Sequence, residues 1–344
     1  MKKRQWLLPV SWLYGAITAV RNFLYDAGLF KSVLFEKPVI LVGNLSTGGT
    51  GKSPHVAYLV DMLRSKYKVA TLSRGYGRKT KGFIAASAGS TAAELGDEPM
   101  MYHLRFADIQ VYVGENRAAA LERIFNRSNV PDVVVMDDGY QHRGVDASFK
   151  ILLTTFNDPF TADYLLPAGG LRESKSGYWR ADCIVITGCP DAMDEQERQH
   201  WLSSIKPLPH QQVFFSKMVY GDAVSFGGKE LGSDRTFTNA VAFAGIANPA
   251  AFFKQVNSCS ENITEISFPD HHNFLRQELV SMVANASDQT TFVTTEKDFV
   301  RLKSNGLLDV FQNVRACYIP IAIQLNDASA FENMIIEHLQ AFEG

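Results

Sequence analysis

Residues 38–54 read Pro-Val-Ile-Leu-Val-Gly-Asn-Leu-Ser-Thr-Gly-Gly-Thr-Gly-Lys-Ser-Pro. The apolar run 38–42 predicts a short buried strand, the glycines a tight loop, and 53–66 a helix. Residues 46–53 lie close to the phosphate-loop pattern G-x-x-x-x-G-K-[ST]. Gly51, Lys52 and Ser53 match it, and Ser46 stands in place of the first glycine. The physics survives that change. Gly48, Gly49 and Gly51 let backbone N–H groups turn inward around an anion, and the following helix presents its positive end to the same place. Pro54 falls in the first helical turn, where a missing N–H does little harm.

Working outward, 133–136 is an apolar strand that ends in Asp137 and Asp138. A carboxylate at such a strand end, beside a phosphate loop, can hold Mg²⁺ directly or through water. The loop residues Thr47, Gly48, Gly49, Thr50, Gly51, Lys52, Ser53 and Pro54 are therefore the expected ATP cradle. Lys52 reaches the β- and γ-phosphates, and Ser53 with Asp137 or Asp138 is expected on Mg²⁺. A lysine at position 47 would indicate the partitioning-type ATPases; Thr47 argues against them. Further strands are predicted at 68–72, 109–113, 149–153 and 183–187, alternating with helical stretches. That alternation predicts an α/β fold, a P-loop NTPase-like, mostly parallel sheet with helices on both faces. Residues 211–237 read as a β hairpin or linker. Strands at 240–244, 263–268, 291–295 and 316–319 predict a smaller second α/β domain. The expected division is 1–35 (N-terminal helical segment), 36–210 (kinase domain), 211–237 (linker) and 238–344, with the last helix free to pack back on the first domain.

The composition is that of a folded chain, 46% hydrophobic and 20% charged, with a formal net charge of −2. No basic field exists to draw in nucleic acid, so none is expected as a partner. Cys183, Cys189, Cys259 and Cys317 lack CxxC spacing and fit reduced thiols rather than a zinc site. At the N-terminus, Lys2, Lys3 and Arg4 precede an uncharged run from 5 to 20. It is too short to span a bilayer. Trp6, Val10, Leu13, Ile17, Val20 and Leu24 fall on one helical face, and Ser11, Gly15, Thr18 and Asn22 on or near the other. Two readings stand side by side: a helix packed on its own domain by that stripe, or an interfacial helix lying on an anionic membrane.

Seven short segments, in order along the chain, resemble those of the tetraacyldisaccharide 4′-kinase family of lipid A biosynthesis. They are Gly-Gly-Thr-Gly-Lys-Ser-Pro at 48–54, Ser-Arg-Gly-Tyr-Gly-Arg at 73–78, Gly-Asp-Glu-Pro at 96–99, Asp-Asp-Gly-Tyr-Gln-His at 137–142, Leu-Pro-Ala-Gly-Gly-Leu-Arg-Glu at 166–173, Asp-His-His at 270–272 and Thr-Thr-Glu-Lys-Asp at 294–298. Departures are small: Ser53 where threonine is commoner, Tyr140 for phenylalanine, and Gly170 where proline is frequent. The resemblance implies ATP-dependent phosphorylation of the 4′-hydroxyl of a tetraacylated glucosamine disaccharide 1-phosphate, giving lipid IVA. It also implies an enzyme at the cytoplasmic face of the inner membrane of a Gram-negative bacterium, peripheral or monotopic. The lipid and that membrane surface are the expected partners, with no obligate protein partner. It favours the membrane reading of the N-terminal helix.

A sugar hydroxyl must lose its proton as it attacks phosphorus, and a positioned carboxylate can take it. Asp97 is the candidate; the residues alone read equally as a helix N-cap, and the family motif makes it the base. His271 resembles the family's partner for that aspartate, with His272 the alternative. Arg172 and Glu173 follow a glycine pair and are expected to reach the phosphates and the metal respectively. Arg74, Tyr76 and Arg78 are assigned to substrate, its anomeric phosphate included, because arginine matches phosphate geometry. Arg117 and His142 are further candidates of that sort. Glu296-Lys297-Asp298 lacks the asparagine and spacing of a guanine-reading motif and reads as second-domain structure. The competing functions are a P-loop kinase or ATPase acting on a soluble small molecule, and a GTP-dependent switch or metallochaperone. The second needs a guanine motif and, for metal delivery, a His/Cys cluster, and the sequence has neither.

Overall fold

A computed structural model describes residues 4–232, 236–284 and 286–343. Lys2 and Lys3 of the expected basic start, and residues 233–235 of the expected linker, lie outside the described residues. The chain opens with helix α1 (Leu8–Asp26). The strands β1 (Val39–Asn44), β2 (Val69–Ser73), β3 (Ile84–Ala85), β4 (Gln110–Val113), β5 (Val133–Asp137), β6 (Phe149–Thr155), β7 (Cys183–Thr187) and β8 (Gln212–Tyr220) follow. Their connections carry α2 (Lys52–Leu63), α3 (Ala92–Leu95), α4 (Asp97–Arg105), α5 (Arg117–Phe125) and α6 (Glu195–Ile205). A second group comprises β9 (Val224–Ser225), β10 (Phe237–Ala244), α7 (Ala250–Ser258), β11 (Ser260–Ser267), α8 (Arg276–Ala284), β12 (Thr290–Thr295), α9 (Glu296–Ser304) and β13 (Arg315–Ile319). The chain ends with β14 (Ile321–Leu325) and α10 (Ala328–Glu343).

Among the described residues the larger sheet runs β14-β8-β7-β6-β1-β5-β2-β4-β3 and the smaller β11-β10-β12-β13-β9. Neighbours in the larger sheet are parallel except at its two ends, where β14 and β3 run antiparallel. β1 is buried along its whole length and lies between β5 and β6. Strand pleating sends its alternate residues to opposite faces. Ile40 and Val42 join Val56, Leu59 and Val60 of α2 and Phe331, Ile335 and Leu339 of α10. Val39 and Leu41 join Leu121 and Ile124 of α5 and Trp201 and Ile205 of α6. Each such side chain stabilises the fold by about 1.5–3 kcal/mol. Successive strands are laid down on one side of β1 and then, from β6, on the other. That reversal opens a crevice at the carboxyl ends of β1 and β5, where open α/β sheets hold ligands.

The segment expected as a hairpin or linker divides between the sheets. Its first strand, β8, pairs with β7 and β14 in the larger sheet, and its second, β9, pairs with β13 in the smaller. The two do not pair with each other; the hairpin in this segment is a smaller one around Gly227-Gly228, where Val224 bridges Glu230 in antiparallel fashion and Leu231 N–H donates to the Ala223 carbonyl at 2.8 Å. Beyond Pro320 the chain returns: β14 adds to the larger sheet, and Phe331, Ile335 and Leu339 bury α10 in its core. The two crossings touch where Gly221 N–H donates to the Pro320 carbonyl at 2.9 Å. The units also meet along α4 and α9. Val300 shares a cluster with Met100 and Met101, and Lys297 pairs with Glu98 at 3.1 Å.

Helix α1 docks with its polar face inward. Ser11 is buried and donates to the Leu165 carbonyl at 3.0 Å. Tyr14 donates to the Arg172 carbonyl at 2.7 Å, Asn22 to Glu173 at 3.0 Å, and Arg21 to the Gln141 carbonyl. The apolar stripe faces out: Trp6 is 76% exposed, Leu13 66%, Ile17 62% and Val20 60%. Trp12, Phe23, Leu29 and Leu34 extend that surface. Packing on the domain through the apolar stripe is therefore not what the fold does.

Candidate active site at the carboxyl edge of the larger sheet

The phosphate loop leaves β1 at Asn44 and enters α2 through Gly51, whose φ of +78° is left-handed; Gly48 has φ +115°. Such φ values strain any residue with a Cβ. A Cβ at Gly48 or Gly49 would meet nothing within 4 Å, so the loop faces open space that a ligand can enter. Lys52 Nζ lies 3.3 Å from Asn44 Oδ1 and 3.6 Å from Asp138. Arg172 meets the Asp138 carboxylate with both terminal nitrogens, at 3.1 and 3.3 Å, and also donates to Asn44 at 3.0 Å and Gln141 at 3.1 Å. Burial pushes the Asp138 carboxyl up, but Lys52 and Arg172 outweigh it and hold the group below its ordinary range. Asp138 has φ +50°, a cost that persists only where the surroundings impose it. Behind the loop, His55 is buried. Its Nδ1 is 2.7 Å from the Gly51 carbonyl, which can only accept, so Nδ1 carries the proton. Its Nε2 then accepts from Ser216 at 3.0 Å. Burial lowers His55 to about 4, with the Gly51 bond opposing.

Asp137, beside Val42 in the register of β1 and β5, is 3% exposed. Its Oδ2 accepts from Tyr102 at 3.0 Å, and its Oδ1 is buried without a partner. Burial, then Glu98 and Asp138, push its carboxyl up to about 7. An orphaned carboxylate oxygen at a strand end, next to Ser53 at the start of α2, is the donor set a divalent cation on a nucleotide requires. These residues fit magnesium. Glu173, the other expected metal residue, is placed elsewhere. It is 2% exposed and gives its oxygens to Arg180 at 2.6 Å, Asn22 at 3.0 Å and Gln141 at 3.1 Å. Among the described residues no cluster of three or more His, Cys, Asp or Glu could hold a metal by itself.

Asp97 is the first residue of α4, set by Gly96 at φ +95°, where a Cβ would lie 2.9 Å from the Tyr76 carbonyl. Its Oδ2 meets Arg301 of α9 through Nε at 2.9 Å and Nη2 at 2.8 Å, and His271 Nδ1 at 3.3 Å. Arg301 Nη2 is 2.9 Å from that same His271 nitrogen. A guanidinium only donates, so His271 offers Nδ1 as a lone pair and Arg301 bridges the two residues. Arg301 is itself fixed by Asp298 and the Gly245 carbonyl, both at 2.8 Å. His272 turns away to Glu278 at 3.0 Å. His271 is thus the histidine brought to Asp97.

The remaining candidates line the same edge. Arg74 is exposed, and Tyr76, 78% exposed, has its ring 6.5 Å from that of His271. Arg78 is taken up by Glu115 and the Gly82 carbonyl. Arg117 is 1% exposed at the start of α5, bonds the Gly114 carbonyl, and leaves Nε and Nη2 without partners. Burial lowers it to about 10, with Asp137 and Asp138 opposing. His142 is lowered to about 4 by burial and then by Arg117 and Arg74. So much positive charge gathered around a half-buried histidine suits an anion.

Sequence reading missed three residues here. Asn44 bonds Thr50 at 2.9 Å and accepts from both Lys52 and Arg172. A polar amide closing an apolar strand was its one signal. Arg301, three residues after Asp298, had only helical spacing to indicate it. Tyr102 had none.

A left-handed glycine cradle between strand and helix, a lysine and a hydroxyl at the helix start, and a buried carboxylate on the adjacent strand define a P-loop phosphotransferase. The comparisons narrow the class. The family model LpxK, Tetraacyldisaccharide-1-P 4′-kinase, matches residues 3–340, and the chain belongs to that family. The tetraacyldisaccharide 4′-kinase of Flavobacterium johnsoniae is 40% identical over 343 residues, spanning 98% of this chain and 97% of the relative. That of Porphyromonas gingivalis (strain W83) is 38% identical over 335 residues, spanning 93% and 92%. The crystal structure of LpxK from Aquifex aeolicus in complex with ATP is similar with a TM-score of 0.75 at 28% identity, covering 98% of this chain and 99% of that one.

Proposed function

We propose that this chain transfers the γ-phosphate of ATP to the 4′-hydroxyl of a tetraacylated glucosamine disaccharide 1-phosphate, from a position against the cytoplasmic face of the inner membrane. The kinase activity follows from the family and from the bound ATP of the similar Aquifex protein. The observation that carries the lipid-facing reading is the inverted docking of α1. A helix that buries serine, tyrosine and asparagine while exposing tryptophan, leucine and isoleucine suits an apolar surface outside the protein. Among the described residues no helix is long and apolar enough to cross a membrane, so the proposed contact is peripheral or monotopic. Tyr14, Arg21 and Asn22 tie this helix to Arg172, Gln141 and Glu173, so a lipid headgroup beside α1 lies close to the phosphate site. The expected first unit at 36–210 is proposed to include the returning β14 and α10.

Mg²⁺, held by Ser53 and Asp137, would neutralise charge on the β- and γ-phosphates. The loop's backbone N–H groups orient the triphosphate, and Lys52 and Arg172 oppose the negative charge that spreads during transfer. Asn44 holds both cations at one point, and Asp138 pairs with both. On the acceptor side, Asp97 takes the proton from the 4′-hydroxyl as its oxygen attacks phosphorus. Arg301 fixes Oδ2 and leaves Oδ1 for that proton. Arg74, Arg117 and His142 supply the positive edge for the sugar phosphate, with Tyr76 beside it. Arg78 supports them through Glu115, and Glu173 anchors the segment carrying Arg172.

Two measurements test this reading. Turnover with the tetraacyl substrate in mixed micelles is compared with turnover of the same disaccharide phosphate stripped of its acyl chains. Co-sedimentation with anionic vesicles is compared for the wild type and Ile17→Glu. Strong preference for the acylated substrate and loss of vesicle binding in the variant are expected. Equal use of the deacylated sugar, with no vesicle binding at all, would point to the soluble-substrate kinase instead.

A further inference from the structure

We propose that Tyr102 is a positioning residue for the metal site, its hydroxyl fixing the plane of the Asp137 carboxylate so that one oxygen remains aimed at the nucleotide. The proposal rests on the reading that Ser53 and Asp137 hold Mg²⁺ with ATP.

Tyr102 lies on the inner side of α4 and is 0% exposed. A phenol buried that deeply needs a partner for its hydroxyl. It donates to Asp137 Oδ2 at 3.0 Å and lies 3.5 Å from the Ser53 carbonyl. One hydroxyl therefore reaches the end of β5 and the first turn of α2, the two elements that bring the metal donors together. The terminal torsion of an aspartate is broad and weakly two-fold, so the side chain alone does not choose a plane. The tyrosine bond chooses it. Oδ2 is occupied, and Oδ1 is the oxygen left buried and unpartnered. The same helix carries Asp97 at its first position, so α4 links the proposed base to the proposed metal ligand. A leucine or phenylalanine would fill the space and pack against Met100 and Met101 without orienting anything.

The test is Tyr102→Phe in the full chain, which keeps the ring and removes the hydroxyl. ATP binding is followed by calorimetry in EDTA and across a Mg²⁺ titration, beside kcat and the melting temperature. The melting temperature should stay near that of the wild type, and ATP affinity in EDTA should match it within about twofold. The Mg²⁺ concentration for half-maximal tightening of ATP binding should rise roughly 10–100-fold, the usual cost of removing a group that orients a metal ligand. Tyr102→Leu should reproduce that shift. An unchanged Mg²⁺ requirement would overturn the proposal. So would an equal loss of ATP affinity in EDTA, since the hydroxyl would then be shaping the loop rather than the metal site. Asp137→Asn separates the parent reading: if it keeps a wild-type Mg²⁺ dependence, Asp137 is not the ligand. If Asp137→Asn abolishes the dependence and Tyr102→Phe leaves it intact, the positioning role alone fails.

Discussion

The two sides of the cleft are assembled differently. On the donor side, Asn44, Thr50, Lys52, Asp138 and Arg172 belong to neighbouring strands and loops of one sheet, and they already hold one another. On the acceptor side, Asp97 meets His271 and Arg301 from 174 and 204 residues away, across the seam between two sheets. His271 there is 55% exposed at its side chain and sits at φ +58°. A single packed core fixes the donor side. The placement of one unit against the other fixes the acceptor side. Damage to the first should therefore appear in nucleotide binding and rate together, and damage to the second in rate alone.

Asp97→Ala offers the largest contrast. It should lower kcat by roughly 10²–10⁴, the span of a lost general base, while calorimetric ATP affinity stays unchanged. His271→Ala should cost less, and the double variant should be little worse than Asp97→Ala, because residues acting as a unit are non-additive. Strictly additive losses would separate the pair. Lys52→Ala should cost roughly 10²–10³ in kcat and weaken ATP binding as well, with the melting temperature preserved. Near-native turnover in that variant would remove the phosphate-loop assignment.

The helices at the two ends of the chain sharpen the point in another way. Ile335 of α10 is 0% exposed, and Ile335→Ala should cost about 2–5 kcal/mol in denaturant unfolding. Ile17→Glu on α1 should leave unfolding nearly unchanged and act on vesicle binding. A large stability loss from Ile17→Glu would mean that the outward stripe is core after all. A pH-dependent effect is expected behind the phosphate loop. His55 is lowered from 6.5 to about 4, so its neutral form stabilises the fold above pH 6.5, and that contribution is lost as pH falls toward 4. The amount at stake is on the order of 3 kcal/mol. Denaturant midpoints measured between pH 7 and pH 4.5 should fall less steeply in His55→Gln than in the wild type.

These contrasts also mark how far the sequence could be read. The strand, loop and helix around Lys52, and the strand ending at Asp137, were legible because each is a contiguous pattern with a local cause. The stripe on α1 was equally legible as a period, but periodicity reports that a face exists and not what it meets. α10 turns its apolar face inward, and α1 turns its own outward. Alternation marks β8 only as part of a hairpin or linker because it looks the same wherever a strand lies, and only pairing with β7 and β14 places it in the larger sheet. The approach of Asp97 and His271 was suggested by a family pattern and by nothing in their spacing. Arg301, which bridges them, was invisible for that reason.

The most direct test of the account is product analysis. The purified chain is given γ-labelled ATP with Mg²⁺ and detergent-dispersed tetraacyldisaccharide 1-phosphate, in wild-type and Asp97→Ala forms side by side. The account predicts one added phosphate on the lipid, located by mass spectrometry and NMR on the 4′-oxygen, formed by the wild type and nearly absent from the variant while ATP still binds. Label released only as free phosphate, or a phosphate placed on any other oxygen, would contradict it.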